Sequence, residues 1–388
     1  MTTMRARREF LRFLAASPLL TAQGEDPRII TDPRAALNVF DFEAAARKAI
    51  PPAHFGYLAT GVDDDRTVRA NHEAFSRFQL RARRLIDVSK IDMSIDLFGA
   101  KWPTPVFLCP CGSQKAFHPD GELASARAGA TRNTLQVLST VTTVSVEDVT
   151  RAAGRPVWQQ LYPTNNWELT SRIVHRAEAA GCPVLAITID LPAGRNTETE
   201  ARFKAQDSRN CGACHRVPSF SGRKPMFDGF DTTGVSVFNP AFTWDSVRRV
   251  RALTSMKIVL KGIVCAEDAK LAVDHGVDGI IVSNHGGRAE ESGRAAIECL
   301  PEVIETVHGT MPVLMDGGIR RGTDIFKALA LGARAVGIGR PYLWGLGAFG
   351  QTGVERVLDI LRTELELVMK QCGTRSIPEI KPTHIVRS

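Results

Sequence analysis

The chain has 388 residues, 44% of them hydrophobic and 23% charged, with a formal net charge of +7. This is a globular composition with apolar material for a sizeable core, and it holds no run of about 18 apolar residues of the kind a membrane-spanning helix needs. The basic residues are spread along the chain and form no recognised nucleic-acid module, so the charge points to no nucleic-acid partner.

The first 24 residues differ from the rest. Arg5, Arg7 and Arg8 precede Phe10-Leu11-Arg12-Phe13-Leu14-Ala15-Ala16, and small residues follow through Gln23. Arg7-Arg8 with this short apolar stretch resembles a twin-arginine export signal, which implies a periplasmic protein. A basic tail on a cytoplasmic protein is the alternative. Residues 37–386 are expected to form the barrel domain described next, a size that such barrels reach as one unit.

Phe40 to Ala59 has helical spacing and runs into the polar turn Thr60-Gly61-Val62-Asp63-Asp64-Asp65. A repeating alternation then begins. Strands are predicted at Pro105–Cys109, Leu135–Ser139, Val157–Leu161, Val184–Asp190, Ile258–Lys261, Gly279–Ser283, Val313–Asp316 and Ala335–Gly339. Helices are predicted among them at Glu122–Ala130, Ser145–Ala153, Trp167–Ala180, Trp244–Leu253, Ala266–His275 and Thr323–Leu331. Eight short, nearly all-apolar strands separated by helices predict a parallel sheet closed as an α/β (β/α)8 TIM barrel, with an N-terminal helical extension and an open doubly wound sheet as runner-up. In a barrel, functional residues gather at the carboxyl ends of the strands.

After the fourth strand comes a long connection, residues 196–239, predicted to be structureless and functional or mobile. It carries Cys211-Gly212-Ala213-Cys214-His215, a C-x-x-C-H pattern for covalent c-type haem with His215 on the iron. A structural zinc or a redox pair is the alternative there. The other six cysteines sit singly in apolar or helical stretches, as buried thiols do. Gly345-Leu346-Gly347-Ala348-Phe349-Gly350 satisfies G-x-G-x-x-G but lacks the strand before it, so it reads as a loop and predicts no nicotinamide cofactor. Val354, Val357, Leu358, Leu361, Leu365 and Val368 mark a final helix over 353–371.

The most informative segment is Ser283-Asn284-His285-Gly286-Gly287-Arg288, directly after Gly279-Ile280-Ile281-Val282. A strand ending in a histidine and an arginine on a glycine-rich turn offers a proton acceptor beside an anion clamp. That suits removal of a proton from a carboxylate-bearing substrate. Lys261 ends another apolar strand, where an ammonium group needs an anionic partner.

From about Leu37 to Val386 the chain resembles the FMN-dependent α-hydroxy-acid oxidase and dehydrogenase family, which includes glycolate oxidase, lactate oxidase and the flavin domain of flavocytochrome b2. The resemblance rests on Gln114 to Pro119, Gln160-Leu161-Tyr162, Val259 to Gly262, Ser283 to Arg288, Asp316 to Asp324 and Gly339-Arg340-Pro341, in family order. It implies FMN, bound at its phosphate by Gly317-Gly318 with Arg320 and by Gly339-Arg340, and at its ribityl chain by Asp316. It further implies that Ser139, Gln160, Thr188 and Ser283 surround the ring, with Pro110, Cys111 and Gly112 alongside and Lys261 facing the charge of the reduced pyrimidine. His285 would be the base, Asp190 its carboxylate partner, Arg288 the grip on the substrate carboxylate, and Tyr57 and Tyr162 further substrate contacts. The family has another arginine after the fourth strand; here Gly194-Arg195-Asn196-Thr197 is shorter, so either Arg195 takes that role or Arg288 works with less help.

The expected activity is oxidation of an L-2-hydroxy acid to the 2-keto acid, with electrons leaving FMN through a c-type haem on Cys211 and Cys214 to a cytochrome or other acceptor. A peroxide-forming oxidase using O2 is one alternative; a haem-binding electron carrier on a barrel scaffold is another. The resemblance also implies a homo-oligomer.

Overall fold

The computed structural model describes residues 29–209 and 224–387. The Arg7-Arg8 segment and the Cys211, Cys214 and His215 motif lie outside the described residues.

Helices α1 (Asp41–Ala49) and α2 (Pro52–Ala59) take up the stretch expected as one helix. The division falls at Pro51-Pro52: proline cannot donate within a helix, but at a first turn its missing N–H costs nothing. Helix α3 (Arg66–Glu73) follows the acidic turn. Strand β1 (Phe78–Leu80) leads to a hairpin of β2 (Ile95–Leu97) and β3 (Ala100–Trp102). Phe98 at the hairpin tip approaches Gly279, where an added Cβ would meet its ring at 3.1 Å.

The barrel strands are β4 (Val106–Leu108), β5 (Leu135–Leu138), β6 (Trp158–Leu161), β7 (Val184–Thr188), β8 (Lys257–Ile263), β9 (Gly279–Val282), β10 (Val313–Asp316) and β11 (Ala335–Ile338). They pair in parallel in this order and close when β11 pairs with β4, Val336 opposite Val106. Every residue of β5, β6, β7, β9, β10 and β11 is buried, which is why β7, β9 and β11 read as nearly continuous apolar runs rather than alternating ones, while β5 and β6 carry the buried glutamines Gln136, Gln159 and Gln160.

Around the barrel stand α4 (Gly121–Thr131), α5 (Val146–Ala153), α6 (Trp167–Ala179), α7 (Glu198–Ala205), α8 (Trp244–Arg251), α9 (Ala266–Asp274), α10 (Ala296–Val307), α11 (Gly322–Ala330) and α12 (Arg340–Cys372). Capping sets several boundaries: the Ser145 hydroxyl accepts from the Asp148 N–H at the start of α5, and Gly154 ends it at φ +66°. Helix α7 corrects the expectation of a structureless connection. Its Phe203 packs on Phe55 of α2, with ring centroids 5.6 Å apart.

The G-x-G-x-x-G stretch is not the expected loop. It lies within α12, which runs helically to Ala348, breaks at Phe349 and Gly350, and continues to Cys372. Its glycines allow close packing, for a Cβ on Gly353 would stand 2.0 Å from the Gly345 oxygen, and Gly350 supplies φ +61° at the break. Strand β12 (Ile385–Arg387) then pairs antiparallel with β1. No helix among the described residues is long and apolar enough to cross a membrane.

Candidate active site

At the carboxyl ends of the barrel strands a cleft encloses about 810 Å³ of empty space, partly open to solvent. Its wall comprises Tyr57 and Leu58 of α2, Cys109 to Gly112 after β4, Val141 after β5, Tyr162 after β6, Lys261 of β8, His285, Gly286 and Arg288 after β9, Asp316 to Arg320 after β10, and Gly337, Gly339, Arg340 and Leu343 around β11 and α12. Fourteen of the residues expected at the site from the sequence thus share one wall. Asp190, Arg195, Ser139, Gln160, Thr188 and Ser283 are not in it but stand behind or beside it.

His285 lies at the centre. Its Nδ1 is 2.9 Å from Oδ1 of Asp190, and its Nε2 is 3.2 Å from the Tyr162 hydroxyl. The backbone of His285 is left-handed at φ +57°, followed by Gly286 at +66° and Gly287 at +77°. A non-glycine residue there stores roughly 1–3 kcal/mol of strain, so the neighbouring contacts must fix the ring where it is. Asp190 gets within reach because Gly262 has no side chain: an added Cβ would stand 2.7 Å from Cβ of Asp190. Burial lowers the pKa of His285, Asp190 pulls it back up, and Lys261 pushes it down again, leaving it below the ordinary histidine value. Burial tends to raise Asp190, but His285 and Lys261 outweigh it and the carboxyl falls below its ordinary value. The pair therefore rests as carboxylate and neutral imidazole, the form able to accept a proton.

Lys261 has a setting the sequence did not show. Its ammonium lies 3.4 Å from Asp316 and 3.9 Å from Asp190 and donates to the Ser283 hydroxyl at 2.8 Å. Burial opposes the charge, yet the two carboxylates more than offset it and the pKa is raised. The lysine thus has its anions within the protein and does not depend on a flavin for them, which corrects the argument from its apolar strand. Asp316 also accepts from Ser283 at 2.6 Å, so the expected ribityl partner is engaged with its neighbours.

Arg288 donates through Nη1 to the Tyr57 and Thr60 carbonyls, each at 2.7 Å, and lies over the Tyr57 ring. Its Nη2 is buried with no hydrogen-bond partner. A buried guanidinium donor without a partner, on a residue that lines the cleft, suits a ligand carboxylate. Arg195 donates to the Arg288 carbonyl at 3.0 Å and so stands next to that site without lining the cleft. Tyr162 is pushed to higher pKa, by burial first and then by Tyr57 and Asp190, and remains a neutral hydroxyl.

The donor set fits FMN. Burial and the neighbouring charges of Arg288 and Arg320 weigh against the Arg340 cation, lowering its pKa to about 9, and burial brings Arg320 down to about 10. Guanidinia held under that pressure beside a glycine turn form a setting that an anion such as a phosphate relieves. Gly317 and Gly318 are both at positive φ, and a Cβ on Gly318 would stand 1.9 Å from the Asn71 oxygen. Away from this anionic end, Gln160 accepts from Ser139 at 3.2 Å and donates to Thr188 at 3.0 Å, so these three make a network of their own. Leu58, Cys109, Val141, Ile319, Gly337 and Leu343 are wall residues to which sequence reasoning gave no role; nothing in their local pattern separates them from core residues.

The chain matches the family model described as FMN-dependent dehydrogenase over residues 46–387. It is 42% identical over 358 residues to a peroxisomal (S)-2-hydroxy-acid oxidase of Oryza sativa subsp. japonica, covering 90% of this chain and 96% of that one. It is 39% identical to glycolate oxidase of Spinacia oleracea, covering 90% and 95%. Among solved structures it is similar to mandelate oxidase, with TM-score 0.81 and 36% identity over 91% of this chain and 98% of that one. A mutant flavocytochrome b2 with pyruvate bound gives TM-score 0.82 and 31% identity over 99% and 91%.

Proposed function

The chain belongs to the FMN-dependent dehydrogenase family, and on that premise we propose that it oxidises an L-2-hydroxy acid to the 2-keto acid with His285 as the base. Bound FMN would supply a two-electron acceptor for the substrate's α-carbon. The observation that carries the residue roles is the pairing, on one wall, of a neutral imidazole backed by Asp190 with the open Nη2 of Arg288.

In this reading Arg288 holds the substrate carboxylate, aided by Tyr57 and by Arg195 behind it. The substrate's hydroxyl end then faces Nε2 of His285, since Nδ1 is engaged by Asp190. His285 takes the proton as the substrate is oxidised, Asp190 stabilises the imidazolium, and Tyr162 orients Nε2 through its hydroxyl. Arg320, Arg340 and the Gly317-Gly318 turn hold the phosphate; Lys261 and Asp316 lie between that turn and the histidine. Anaerobic addition of an L-2-hydroxy acid should bleach the flavin absorbance of the purified holoprotein, and a flavin that stays oxidised with every such acid contradicts the reading.

Two acceptors have support. The oxidase relatives favour O2 and peroxide. The C-x-x-C-H motif favours a c-type haem on Cys211 and Cys214 with His215 on the iron, and the twin-arginine segment favours export to the periplasm, where such haem is attached. The native protein should then carry a haem that survives denaturation, and lysines at Arg7 and Arg8 should trap it inside the cell. Flavin bands alone, with stoichiometric peroxide in air, would leave the oxidase reading. A carrier without hydroxy-acid chemistry has no support once the family is established.

A further inference from the structure

One peptide group holds two of the three arginines of the cleft wall. The Thr60 carbonyl accepts from Nη1 of Arg288 at 2.7 Å and from Nη2 of Arg340 at 3.0 Å. The N–H of that same peptide, on Gly61, donates to Oδ1 of Asp65 at 2.5 Å. Two cations therefore lie at the oxygen end of an amide and an anion at its hydrogen end. Such a peptide is polarised along its own dipole, and hydrogen bonds in series strengthen one another where the local dielectric is low.

Asp65 makes a second connection. Its Oδ2 accepts from the Thr199 hydroxyl at 2.5 Å, in the first turn of α7 and only four positions beyond Arg195. Asp63 adds to the same tie, its N–H donating to the Asn196 carbonyl at 2.9 Å. Gly61 lies close against the Gly287 backbone, for an added Cβ would stand 2.7 Å from its oxygen. Asp65 itself is left-handed at φ +62°, a conformation that aspartate and asparagine tolerate better than other side chains.

We infer that Asp65 is a positioning residue for substrate capture: through the Thr60-Gly61 peptide it orients the Arg288 and Arg340 guanidinia, and through Thr199 it fastens the Arg195 segment to the same turn. The inference rests on Arg288 being the carboxylate grip. Asp65 does not line the cleft, so its removal should act on capture more than on turnover.

The test compares holoenzyme of Asp65→Asn, Asp65→Ala, Thr199→Val and Arg288→Lys with the unaltered protein. KM for the hydroxy acid is measured with kcat, and the dissociation constant of the 2-keto acid is read from the flavin absorbance change. Asp65→Ala should raise KM and the keto-acid constant together by about tenfold, while kcat falls by less than about threefold. Asp65→Asn, which keeps an acceptor for Gly61 and suits the backbone, should recover about half of that loss on a logarithmic scale. Thr199→Val, which removes only the α7 side of the tie, should raise KM by about twofold to threefold. Unchanged KM and keto-acid affinity in both Asp65 variants, with Arg288→Lys weakening both, would overturn the Asp65 role and leave the Arg288 role standing. Unchanged values in Arg288→Lys as well would overturn the two together.

Discussion

Oδ1 of Asp190 lies 2.9 Å from Nδ1 of His285, and this contact settles which nitrogen faces the cleft. Because the carboxylate accepts a hydrogen bond from Nδ1–H, Nε2 is left as the acceptor, and it lies by the Tyr162 hydroxyl. His285→Ala should keep FMN yet slow reduction of the flavin by substrate by about 100-fold to 10,000-fold. Stopped-flow absorbance under anaerobic conditions measures this, and near-normal reduction would remove His285 from the role of base.

The pH dependence follows from the same pair. His285 has its pKa lowered, by burial first, so the neutral base persists below the ordinary histidine value and is lost only as pH falls through the depressed one. The acid limb of kcat/KM should therefore lie below about pH 6.5. Asp190 acts to raise His285, so Asp190→Asn should move that limb to still lower pH while also reducing kcat, because the imidazolium formed in turnover loses its counter-charge. A limb moved to higher pH in Asp190→Asn would contradict the electrostatics.

Arg288→Lys removes the planar second donor while keeping a positive charge. Charge-assisted hydrogen bonds contribute about 1.5–3 kcal/mol, so KM should rise by roughly tenfold to a hundredfold. Steady-state kinetics with a saturating electron acceptor would show it, and an unchanged KM would place the substrate carboxylate elsewhere.

Gly318→Ala tests the turn assigned to the phosphate. The new Cβ would stand 1.9 Å from a backbone oxygen at φ +82°, so the turn has to move. Strain of this kind costs about 1–3 kcal/mol, and the variant should lose FMN on gel filtration and melt at lower temperature than the unaltered protein. Full flavin retention would detach this turn from cofactor binding.

Much of this molecule is readable from the amino-acid order because its barrel strands are buried on both faces. Runs such as Val184–Thr188 stand out as unbroken apolar segments, and observed strand limits fall within two residues of those expected. The motif residues were equally legible: His285, Arg288 and Asp316 meet at one cleft since all three lie at or just past the carboxyl ends of barrel strands. What escaped depends on contacts between distant parts of the chain. The counter-charges of Lys261 come from β10 and from the end of β7, and no local pattern near residue 261 announces them. Likewise α7 is weakly amphipathic and buries no residue fully, so the long connection hid it. The glycines of α12 looked like a loop because their use, an approach of Gly345 to Gly353, is visible only in three dimensions.

The lysine between two acids has a thermodynamic consequence. From Ser283 through Asp316, Lys261 and Asp190 to His285 the polar and charged groups form one unbroken series, each within 4 Å of the next. A ligand that draws Asp316 or Lys261 toward itself changes the field at Asp190 and hence the proton affinity of the histidine. Linkage is reciprocal, so a protonated histidine must alter the affinity for that ligand by the same factor. On the proposed roles of Lys261 and Asp316, loading of the cofactor and titration of the base should form one coupled equilibrium, with proton uptake or release accompanying FMN binding near the histidine pKa.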